Sequence, residues 1–151
     1  MNAIKQEIKP LQDQLWQLST EYTQADLDKV LENNPNLTSN VLESRKSHTF
    51  NEHREYLKKS LKAFQLCCAF LSLCKKSTKA SLVYTNTNLL KHRLQHFIGN
   101  DNYIPAGAIV AAADHLGIKY NADVTDNPCV CLYIKSELPI TQEMEFIARE
   151  L

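Results

Sequence analysis

The sequence predicts a mainly α protein, one domain spanning residues 1–151, with about six helices and a small C-terminal β-hairpin. Three observations carry this. Apolar residues recur at steps of three and four through most of the chain, helix caps and breakers stand at the ends of those stretches, and after Gly117 the period falls to two. With 151 residues the chain can bury a core of real size, but two domains would each be thin.

From the start, Ile4, Ile8, Leu11, Leu15, Leu18 and Tyr22 form a heptad stripe. Pro10 either kinks this helix or opens a second one near Lys9. The stripe can pack on the chain's own core or pair two copies in a homodimer, and its shortness favours the core. Thr23 to Asp26 resembles a capping box and opens a helix to about Asn33, closing an N-terminal helical hairpin near Asn34. Asn33-Asn34-Pro35-Asn36 is a turn, and a brief helical piece is expected at Ser39–Lys46. Core helices are expected over about 49–117. Thr49-Phe50-Asn51-Glu52 is a fuller capping box and should open the longest helix, to about Lys75. Its second half is apolar on all faces, with Leu66 and Phe70 among its core candidates.

Another helix should run from near Thr85 to Gly99, with Leu90, Leu94 and Phe97 inward. Pro105 and Gly117 bracket Ala106-Gly107-Ala108-Ile109-Val110-Ala111-Ala112-Ala113, a helix with small or apolar residues on every side. Such a helix should be buried, and Ile109, Val110 and Ala112 belong in the core. The β-hairpin should occupy about 118–135, with Thr125-Asp126-Asn127-Pro128 as its turn. A last helix is expected at about 140–151.

The 17 basic and 17 acidic residues cancel, but not locally. Residues 1–50 carry a net −2, residues 51–99 a net +7, and residues 100–151 a net −5. A basic middle attracts an anionic partner unless the acidic ends neutralise it. The five cysteines are an odd number with no secretory signal ahead of them, which suits a reducing cytoplasm; an exported effector would read the same way. No apolar run reaches the roughly 18 residues that span a bilayer.

No phosphate-cradling glycine loop or nucleophile elbow is present. His92 and His96 share a helical face and, with Cys129 and Cys131, make a loose zinc candidate lacking any standard spacing. No catalytic residue or cofactor is assigned. The order helix, helix, hairpin also suggests a winged helix-turn-helix, but an Ala/Gly/Ile/Val helix has nothing with which to read base edges.

Leu90-Lys91-His92, Tyr103-Ile104-Pro105-Ala106-Gly107-Ala108-Ile109-Val110-Ala111-Ala112-Ala113 and Leu116-Gly117 resemble a group of small bacterial proteins carried on integrated mobile elements. Those proteins share a Leu-Lys-His helix followed by a Tyr-Val/Ile-x-x-Gly-Ala-x-Ile-Ala-Ala-Ala helix. The resemblance implies a bacterial mobile-element origin and no particular activity. Gln95 stands where the pattern has an acidic residue, and Ala106 where it has Ser or Asn.

Two functions compete. The leading one is a non-enzymatic module that engages a protein or nucleic acid through the basic stretch from Lys58 to Arg93, with Lys75, Lys76, Lys79, Lys91, His92 and Arg93 as contacts. The other is a small enzyme or ligand-binding protein with a pocket around His92 and Tyr103, helped by Lys91 and Gln95. Lys91 and His92 point about 100° apart on a helix, so only one can face a given cleft. His92, beside the Leu90–Leu94 stripe, is the expected one.

Overall fold

The computed structural model describes residues 2–77, 87–99, 102–121 and 131–135. Six helices run through these residues: α1 (Asn2–Ser19), α2 (Gln24–Asn33), α3 (Phe50–Lys58), α4 (Leu61–Ser72), α5 (Thr87–Ile98) and α6 (Ala106–His115). Antiparallel pairs of two-residue strands join β1 (Leu37–Thr38) to β2 (Val41–Leu42), β3 (Lys75–Lys76) to β6 (Ile134–Lys135), and β4 (Tyr120–Asn121) to β5 (Cys131–Leu132).

The core is built around α6. Every residue from Ala106 to Ala113 is buried, because side chains this small let α2, α4, α5 and the β1–β2 hairpin all approach one helix. The expected core residues Leu66, Phe70, Ile109, Val110 and Ala112 are all buried. Gly117 ends the helix at φ +71, with Ile118 N–H bonded to Ala113 O at 2.8 Å and Gly117 N–H to Asp114 O at 3.2 Å. This is the left-handed helix stop that pairs the two residues after the cap with carbonyls of the last turn.

Helix α1 continues through Pro10 and packs on α4, burying Leu11 and Leu15, so these seam positions are used within the chain. The Thr23 capping box forms in full: Thr23 N–H donates to Asp26 at 2.9 Å and Asp26 N–H to the Thr23 hydroxyl at 3.3 Å. Arg54 ties α3 back to the end of α2, its guanidinium donating to the carbonyls of Leu31, Asn34 and Leu37.

Three expectations need correction. Ser39–Lys46 is not helical; the β1–β2 hairpin lies there, buried on Leu37 and Val41. The long helix from Thr49 breaks at Lys59–Ser60, where the Ser60 hydroxyl donates to Tyr56 O at 2.7 Å and competes with helical continuation. The strands do not make one C-terminal β-hairpin. One pair sits mid-chain, and after Tyr120–Asn121 meets Cys131–Leu132, Ile134–Lys135 turns back to the strand after α4. A two-stranded ribbon has too little surface to be stable alone; here β1–β2 lies on the core and β3–β6 staples segments about sixty residues apart. The helix expected at 140–151 lies outside the described residues. No described helix is long and apolar enough to cross a membrane.

Candidate functional site

The site grows from the β1–β2 hairpin. Val41 takes φ +69, a left-handed conformation that a β-branched residue rarely adopts, and its side chain is wholly buried. The hairpin is gripped on two sides. Ser39 N–H donates to His53 O of α3 at 3.2 Å, and Gly107 N–H of α6 donates to Ser39 O at 3.1 Å. At Gly107 the backbones approach so closely that a Cβ would sit 1.9 Å from Thr38 O, which leaves glycine as the one residue that fits.

This grip brings a polar cluster together. The Glu43 side chain, only 8% exposed, accepts from the Thr38 hydroxyl at 2.9 Å, the Thr49 hydroxyl at 3.0 Å, and Nδ1 of His53. Burial by itself would raise the Glu43 pKa, but the hydrogen bonds from His53, Thr38 and Thr49 outweigh it and hold the carboxyl below its ordinary range. Thr49 therefore spends its hydroxyl on Glu43 and leaves the first turn of α3 without a side-chain cap. With Nδ1 held by Glu43, Nε2 is the ring nitrogen of His53 that the carboxylate does not engage.

His53 lines an open cavity of about 530 Å³ between α3, α5, the hairpin and the start of α6. Tyr56, Asn88, Lys91, Tyr103 and Ala106 share its wall, and Ser39, Asn40 and Glu52 complete it. Tyr56 and Tyr103 are 49% and 55% exposed and meet edge to face at 6.2 Å between ring centroids. The Lys91 ammonium lies 5.6 Å from the Tyr103 ring, at cation–π distance. Gln95 sets the approach of this loop, its Oε1 accepting from Ile104 N–H at 3.2 Å. On the other side of Tyr103 a smaller recess of about 270 Å³ is lined by Lys62, Asn102 and Ile104. Tyr103 is thus a ridge between two hollows; Lys91 faces its ring, while the Lys62 ammonium lies 4.9 Å from the Trp16 ring.

Lys91 and Tyr103, both singled out in the sequence, come together here. His92 does not: it is exposed and lines neither hollow, because α5 turns Lys91 toward the cavity and the adjacent position away from it. The pocket around His92 and Tyr103 is therefore a pocket around His53 and Tyr103. His96 is exposed and Arg93 is buried. Lys75 and Lys76 are exposed in β3, and the Lys76 ammonium lies beside Gly117, at the far end of α6 from the cavity. The length of α6 puts roughly 15 Å between these lysines and Ala106, so the basic middle is divided between two places. Lys79, Cys129 and the side chain of Cys131 lie outside the described residues, and among those described no group of three or more metal-binding side chains gathers.

The sequence reading missed His53, Glu43, Tyr56 and Asn88. The one trace of them is a lone carboxylate set among Thr38, Ser47 and Thr49, too loose to single out. Comparison with protein-family models, with curated proteins and with solved structures finds no match.

Proposed function

We propose that the protein binds single-stranded nucleic acid across the Tyr56–Tyr103 face, with a base stacked on the aromatic pair and phosphates drawn to Lys91. The observation that carries this reading is the exposed tyrosine pair with the Lys91 ammonium over one ring, at the edge of an open cavity. Proteins that bind single strands combine these two elements, a stacking platform and a cationic groove. The buried α6 takes no part, which removes a helix-turn-helix mode of groove reading. The setting is a bacterial cytoplasm and, following the sequence resemblance, a mobile element.

Fluorescence anisotropy with labelled single-stranded RNA and DNA tests the proposal. Affinity should fall steeply with salt, and Lys91→Ala should lower the salt slope by about one. Tyr103→Ala should cost about 1–3 kcal/mol, roughly 5- to 150-fold in affinity. Glu52 is the opposing charge in the cavity wall, so Glu52→Gln should tighten binding. Failure of both RNA and DNA to bind at low salt would overturn the proposal in favour of a protein partner.

A further inference from the structure

The cavity beside the tyrosine pair holds more than a binding surface needs. A histidine fixed through Nδ1 by a buried carboxylate is the arrangement used for general-base catalysis, because the carboxylate sets the tautomer and stabilises the imidazolium that forms. A stacking platform needs no such pair. His53, Lys91 and Tyr103 line one open cavity, which places a histidine and a lysine beside the proposed stacking platform.

Resting on the proposed strand-binding face, we infer that the cavity cleaves single-stranded RNA by attack of the ribose 2′-hydroxyl on the neighbouring phosphorus, with His53 as the base. Nε2 of His53 takes the 2′-hydroxyl proton as the 2′-oxygen bonds to phosphorus. The P–O5′ bond then breaks, and the departing 5′-oxygen takes a proton from water in the open cavity. The products are a 2′,3′-cyclic phosphate and a 5′-hydroxyl, with no change of oxidation state, and His53 returns its proton to solvent. The Lys91 ammonium neutralises charge that builds on the non-bridging oxygens, the role a cation plays in phosphoryl transfer. Glu43 is a positioning residue, reaching the substrate only through His53. DNA, lacking the 2′-hydroxyl, binds and is not cut.

The test uses the full chain and a short 5′-labelled single-stranded RNA in EDTA, with cleavage followed on gels, the product end identified by mass spectrometry, and binding followed by anisotropy. Cleavage to a 2′,3′-cyclic phosphate is expected, with none in DNA of the same sequence and none at a single 2′-deoxy position placed in the RNA. His53→Ala and His53→Gln should each lose at least 100-fold in cleavage rate measured at saturating RNA, at the low end of what a positioned base contributes (about 10² to 10⁴). The deoxy substitution works on the unaltered protein, so it decides the chemistry even where a variant folds poorly. Binding without cleavage overturns this inference and leaves the proposed function standing; no binding of RNA or DNA overturns both. Cleavage that persists in both His53 variants, that stops in EDTA, or that leaves a 5′-phosphate overturns the assignment to His53.

Discussion

Val41 holds a backbone conformation that is expensive for its residue type, at φ +69 with a β-branched side chain. Left-handed placement of such a residue costs on the order of 1–3 kcal/mol, sustained here by the burial of its side chain. At an ordinary position glycine is less stable than alanine; at position 41 the order should reverse. Val41→Gly should exceed Val41→Ala in stability by about 1 kcal/mol in urea titrations, since glycine alone sheds the strain and this outweighs the one buried methyl group that alanine keeps. Glu43 sets a second expectation. Its folded carboxyl titrates below its ordinary value of 4.5, so the stabilisation is complete above that value and is lost as pH falls through the folded value. Glu43→Gln should therefore be less stable than the parent at neutral pH and should lose less stability on acidification. Thermal unfolding across acidic pH reads this directly, and parallel curves for the two proteins would refute it.

At the scale of elements, the contact between β1 and α6 decides whether the site exists. A methyl group at position 107 would collide with Thr38 O, and neither partner is a flexible side chain that can step aside. Gly107→Ala should cost about 3 kcal/mol, the upper end of the usual overpacking range, and should loosen the hairpin that carries Glu43. Hydrogen exchange at the Gly107 and Ser39 amides would register the loosening; unchanged protection there would refute it. The same contact explains much of what could and could not be read beforehand. Helix α6 announces itself because its signals are local: a proline ahead, small residues on all faces, and Gly117 behind. The β1–β2 hairpin announces nothing, since its strands are two residues long and its left-handed position is a valine where glycine or asparagine would have marked a turn. Lys91 and Tyr103 were visible as a charged and an aromatic residue beside an apolar helix. His53 and Glu43, ten positions apart and brought together only by the fold, follow no periodicity that a sequence displays.

For the whole molecule, the walls of the cavity come from three stretches separated along the chain: residues 39–56, residues 88–91, and residues 103–106. Helix α6 packs against the β1–β2 hairpin and α5, which carry parts of two of them, and against α2 and α4 at once. Charge follows the same division, with Lys75 and Lys76 at one end of α6 and Lys91 at the other, so a net charge summed over residues 51–99 describes no single surface. The arrangement also sets an order of events during synthesis. A growing chain that has emerged only through α5 already contains the histidine, the carboxylate and the lysine, yet lacks Tyr103 and the glycine that clamps the hairpin. Folding proceeds as the chain leaves the ribosome, and the last wall is supplied by one of its later segments. On the inference that the cavity cuts RNA, such a centre is incomplete until Tyr103 and Gly107 have both emerged and α6 has packed against the hairpin.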